Sequence, residues 1–195
     1  MLVSHKYKFL SIGIPKTGTK SLRAFFCTSS QHRDGRRNEH MVDIIGFDKD
    51  NKFPQHASYI KCKQDMDSLD IDIKDYFVFS FVRNPWARLV SHMLWSNETF
   101  NENRDLKFFI EMNAPQYAYI CNESEDLAVN YLARFENYEQ EIKSFCNKFK
   151  IHHMPIPHLQ KTKKYNYKDF YTKELIDKVY EKEHKIIDLM SYTYD

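Results

Sequence analysis

Tyr76 to Val82, "YFVFSFV", is continuously apolar but for Ser80, and Arg83-Asn84-Pro85 follows it directly. A run this short and this apolar suits a strand covered on both faces, as in a parallel sheet, rather than an exposed ribbon. Pro85 suits the first turn of a helix, so "PWARLVSHMLWSN" is expected to be helical. A buried strand that leads straight into a helix is the repeating unit of α/β sheets.

The same arrangement precedes it. Lys6 to Ile14 reads as a strand, a glycine-containing loop follows, and Thr19 to Cys27 reads as a helix with Leu22, Phe25 and Phe26 on one side. Further along, His40–Phe47 and Val129–Phe135 are expected strands. Ala57–Asp65, Leu106–Met112, Glu139–Phe149 and Lys173–Met190 are expected helices, and residues 151–170 a structured loop. The expected class is therefore α/β, a P-loop-like, mainly parallel sheet flanked by helices. Ligands of such sheets bind at the carboxyl ends of the strands. At 195 residues, without repeats or a linker, one domain over 1–195 is expected.

Composition restricts the partners. Net charge is +2, too small to imply nucleic acid, so anion binding must come from local clustering. No apolar run approaches the ~20 residues of a membrane span. A cytoplasmic location follows if the chain is complete, and a Golgi lumen if it is cut from an anchored parent. The four cysteines, Cys27, Cys62, Cys121 and Cys146, are far apart and form no Cys-x-x-Cys pair. Free buried thiols are the expectation.

The loop after the first strand, "SIGIPKTGTKSL", nearly spells a Walker A motif, which needs Gly, four residues, Gly, Lys and then Ser or Thr. Gly13 and Gly18 are correctly spaced, but Thr19 occupies the lysine position, Lys20 and Ser21 come one place late, and Lys16 lies inside the loop. Loop amides, a helix amino terminus and a lysine still make an anion site. A Walker-type ATPase would also need an aspartate at the end of another strand to organise magnesium. Here the central strand delivers Arg83, a planar fork suited to a second phosphate. Ser91, two turns into the next helix, is placed to donate to the same group. The blander account is a glycine turn with incidental lysines and an arginine in an ion pair.

Taken together, "PKTGTKSL" resembles the 5′-phosphosulfate loop of sulfotransferases, and "RNPWARLVS" resembles their 3′-phosphate motif. The likeness is greatest to the carbohydrate sulfotransferases, both Golgi-type and bacterial-type. It extends to "FPQHASYIKC", "NYLARFENYEQEIKSFCNKFKI" and the closing segment from Pro155. The resemblance implies 3′-phosphoadenosine 5′-phosphosulfate as donor, a hydroxyl acceptor of the saccharide class, and no metal. Lys16 would meet the charge on the departing oxygen. Thr17, Gly18, Thr19, Lys20 and Ser21 would surround the 5′-phosphate, and Arg83 and Ser91 the 3′-phosphate. Lys20 departs from the family's threonine and either adds charge there or faces solvent. Lys161, Lys163 and Lys164 fall in the region that closes over the nucleotide. His56 matches the catalytic histidine of the 2-O-sulfotransferase branch, and its ordinary pKa suits proton removal. Other branches use a glutamate, for which Glu39 is the rival. Gln116 and Tyr117 match a segment near the acceptor cleft.

Two competing readings follow from the same residues. A P-loop kinase or triphosphatase would require magnesium and ATP. A non-catalytic relative would bind the nucleotide without turnover.

Overall fold

The structure, a computed structural model, describes residues 1–26, 44–45, 54–152, 155 and 165–195. Its strands and helices, in chain order, are β1 (Leu2–Ser4), β2 (Phe9–Ile12), α1 (Thr19–Phe26), β3 (Ile44–Ile45), α2 (Tyr59–Asp67), β4 (Phe77–Val82), α3 (Pro85–Phe100), α4 (Leu106–Met112), α5 (Tyr117–Ile120), β5 (Tyr131–Arg134), α6 (Tyr138–Phe149) and α7 (Lys173–Met190). Single 3₁₀ turns lie at Ile73–Asp75, Phe135–Asn137 and Tyr167–Phe170. The chain divides into two compact units, Met1–Val82 with Tyr119–Leu159, and Arg83–Ala118 with Gln160–Asp195.

The first unit carries the sheet, in the order β3-β1-β2-β4-β5. β2, β4 and β5 run parallel, with Ile12 opposite Ser80 and Val82 opposite Arg134. Their carboxyl ends therefore share one edge. β1 pairs antiparallel with β2 and with β3, which extends the parallel core on one side. The α/β class and the parallel arrangement of the central strands agree with expectation; the amino-terminal hairpin was not foreseen.

β4 explains why its sequence is so apolar. Phe79 and Phe81 point to one face and Val78, Ser80 and Val82 to the other, and all five are buried. Ser80 is tolerated because its hydroxyl donates to the Ile12 carbonyl at 3.0 Å, so no polar group is stranded. Phe79 and Phe81 meet Phe9 of β2, Leu22, Phe25 and Phe26 of α1, and Ile142 and Phe145 of α6 in a continuous core. Phe145 sits 4.4 Å from Phe79 and 5.1 Å from Phe9, centroid to centroid, the tilted and edge-to-face contacts that aromatic quadrupoles favour. The 3.6-residue spacing of Ile142, Phe145 and Phe149 on α6 presents them to this face.

In the second unit α3, α4 and α7 pack on one another. Asn84 caps α3 by accepting from the Ala87 N–H at 3.1 Å, with Pro85 in the first turn as expected. Asp105 and Thr172 cap α4 and α7 in the same way. No helix among the described residues is long and apolar enough to cross a membrane.

Candidate functional site

The loop from Gly13 to Gly18 joins β2 to α1 at the carboxyl edge of the sheet. Two glycines are required there by close approach. A Cβ on Gly13 would lie 2.6 Å from the Gln55 carbonyl oxygen. At Gly18 the backbone has φ +81°, and a Cβ would come within 2.7 Å of the Tyr138 ring. Tyr138 also donates its hydroxyl to the Gly18 carbonyl at 2.9 Å, so α6 braces the loop from below. Burial pushes that phenol well above its ordinary pKa, which keeps it a neutral donor. Lys16, between the glycines, takes φ +69°, a left-handed conformation that costs a non-glycine residue about 1–2 kcal/mol.

Thr17 is buried, and its hydroxyl donates to the Ile14 carbonyl at 2.9 Å. Its side chain therefore shapes the loop, leaving its backbone N–H as the group it can offer an anion. Thr19 opens α1, Lys20 is exposed and Ser21 is half-buried, and the first turn of α1 contains no acid. A helix start of this kind favours negative charge.

The segment 54–58 runs against the loop. His56 Nδ1 lies 2.8 Å from the Gly13 carbonyl oxygen. A carbonyl only accepts, so Nδ1 carries the proton and Nε2 is the basic nitrogen of the neutral ring. Ser58 then caps α2, and burial pushes the Cys62 thiol in that helix up to about 12.

The second unit holds the other motif. Arg83, the residue after β4, is half-buried, and Ser91 lies buried in α3. Gln116 is fully buried, with its side-chain amide committed to the Arg83 backbone rather than presented to an acceptor. Beside it Arg88 and Glu183 form a buried ion pair at 2.6 Å.

The glycine loop and His56 thus lie together in one unit, and Arg83 and Ser91 both belong to the other. Lys161, Lys163, Lys164 and Glu39 lie outside the described residues. The Tyr138 and Gln55 contacts were not legible in the sequence, because both join segments far apart in the chain and neither belongs to a local pattern. Among the described residues, no group of three or more His, Cys, Asp or Glu is arranged to hold a metal ion.

The model of the sulfotransferase family matches residues 1–95. An uncharacterized protein of Archaeoglobus fulgidus is 33% identical over 82 residues, spanning 37% of this chain and 67% of that one. No solved structure matches the chain. The matched residues include the glycine loop, His56, Arg83 and Ser91; residues 1–95 are thus similar to the sulfotransferase family, and the chain shares a family with the archaeal protein.

Proposed function

We propose that the protein transfers a sulfuryl group from 3′-phosphoadenosine 5′-phosphosulfate to a hydroxyl acceptor of the saccharide class. The observation that carries the reading is the loop at the carboxyl edge of β2. It combines a strained Lys16, two glycines under close contact, an acid-free helix start and a histidine seated on its backbone. Strained backbone conformations cluster at active sites and ligand clamps, where the surrounding contacts hold them in place.

The donor has phosphates at two ends, and each end is assigned its own residues. Lys16, Thr17, Gly18, Thr19 and Ser21 hold the 5′ end through backbone amides, hydroxyls and one full charge. Lys20, exposed at the start of α1, adds charge to this end. Arg83 and Ser91 hold the 3′-phosphate, and Lys161, Lys163 and Lys164 add charge from the late loop. The donor supplies an activated sulfur whose bond to the bridging oxygen breaks as the acceptor oxygen bonds to it. His56 Nε2 takes the proton of the acceptor hydroxyl, and Lys16 meets the negative charge that develops on the departing bridging oxygen. Arg83 stands where a Walker-type enzyme would have its magnesium-organising acid, which favours this reading over a kinase.

The test is ligand stabilisation in the presence of EDTA. Binding of 3′-phosphoadenosine 5′-phosphate at a hundredfold excess over its Kd should add about 2.7 kcal/mol and raise Tm. Stabilisation by magnesium-ATP, measured in a parallel sample without EDTA, but not by the bisphosphate would establish the kinase reading. Bisphosphate binding without transfer to any acceptor in a hydroxyl panel would establish the non-catalytic one.

A further inference from the structure

Arg83 occupies a gap in the regular hydrogen bonding of the chain. β4 ends at Val82 and α3 begins at Pro85, so neither the ladder nor the helix satisfies the Arg83 backbone. Gln116 fills this gap. The Arg83 N–H donates to Gln116 Oε1 at 3.0 Å, and Gln116 Nε2 donates to the Arg83 carbonyl at 2.9 Å. One side chain thus pairs with both polar groups of one residue, as a neighbouring strand would.

Gln116 is itself held. Its own N–H donates to Glu183 Oε2 at 2.9 Å, and the other carboxylate oxygen accepts from Arg88 Nη2 at 2.6 Å. Gln116, Glu183 and Arg88 are all at most 2% exposed. Nε and Nη1 of Arg88 have no partner, so Glu183 is the main compensation for a buried cation. A charge-assisted chain of this kind resists rearrangement, and it ends on the backbone of Arg83.

We propose that Gln116 is a positioning residue for the Arg83 guanidinium, fixing its backbone so that the side chain meets a 3′-phosphate without a search over conformations. The proposal rests on the donor reading above. Preorganisation of this sort raises affinity for the group addressed and leaves the rest of the ligand unaffected.

The experiment measures Kd for 3′-phosphoadenosine 5′-phosphate and for adenosine 5′-phosphate, which lacks the 3′ group. The proteins are the wild type, Gln116→Met, Gln116→Ala, Arg83→Ala and the Arg83→Ala/Gln116→Met double variant. Methionine keeps the volume of Gln116 and removes both hydrogen bonds. Gln116→Met should weaken the bisphosphate roughly tenfold and leave the monophosphate within about twofold. In the Arg83→Ala background the same change should have almost no further effect, because the group being positioned is gone. Equal losses for both ligands, or an undiminished loss in the double variant, would overturn the proposal. So would variants of Gln116 that fail to fold, since Gln116 would then be structural. A wild type that does not distinguish the two ligands, with Arg83→Ala also without effect, would sink the donor reading and this proposal with it.

Discussion

His56 meets the loop through a hydrogen bond from Nδ1–H to the Gly13 carbonyl. That bond has two separable consequences: it seats the segment 54–58 on the loop, and it leaves Nε2 with its lone pair. Asparagine places an N–H close to where Nδ1–H stands, and glutamine places its polar atoms nearer to Nε2. His56→Asn should therefore keep the loop contact and donor affinity but lower turnover by roughly 10²–10⁴-fold at saturating donor. His56→Ala should lose turnover to a similar degree and weaken donor binding as well. Near-normal turnover in the asparagine variant would remove the base role from His56, and a collapse in Glu39→Gln would transfer it there. The sequence pointed to this histidine through its neighbours in "FPQHASYIKC". Its partner was not legible, since Gly13 lies 43 residues away and contributes only a backbone oxygen. Thr17 is the opposite case: the motif made it a phosphate ligand, and the structure shows its hydroxyl turned inward to Ile14.

Elements were legible in proportion to how much pattern they carry. β4 was clear because burial on both faces leaves no alternation to confuse with a helix, and α3 was marked by Pro85 in its first turn. β1 was missed because three residues, Leu2–Ser4, carry too little pattern, and antiparallel pairing across a short turn gives no motif. β5 is shorter than its apolar run, since Phe135 turns into a 3₁₀ turn and packs on Tyr138. The helices α1 and α6 pack on the sheet through a cluster of rings, beside the Glu141 bonds to β5, and Phe79 is the central ring, 1% exposed and against Phe9, Phe81 and Phe145. Phe79→Ala should cost about 3–5 kcal/mol, the usual price of an emptied aromatic site. Phe79→Leu should cost markedly less, because most of the volume remains. Chemical denaturation of both variants gives the comparison, and equal losses would mean that ring geometry rather than filled volume holds these elements together.

Over the whole molecule, burial has left several acids with their protons held more tightly than in the unfolded chain. Burial raises the Cys62 thiol from its usual value of 9 to about 12 and Cys146 to about 11. Tyr131 rises from 10 to about 12, chiefly because its hydroxyl donates to Glu141, and burial pushes Tyr138 and Tyr171 up as well. In each case the folded state binds the proton when the unfolded chain has begun to release it. Stability is then complete below pH 9 and falls as pH rises, first through the thiols between 9 and about 12 and then through the phenols from 10 upward. Each such proton contributes a slope of about 1.4 kcal/mol per pH unit where the unfolded group is ionised and the folded group is not. The urea midpoint should therefore be flat between pH 7 and 8.5 and decline between 9 and 10.5, with an unchanged m value. Cys62→Ala will lower the midpoint at every pH through its cavity, but it should also flatten the early part of the decline, because one releasable proton has gone. A midpoint that stays level to pH 10.5, or a Cys62→Ala curve parallel to the wild type between 9 and 10, would mean that these thiols ionise in place and that water reaches sites the fold shows as closed.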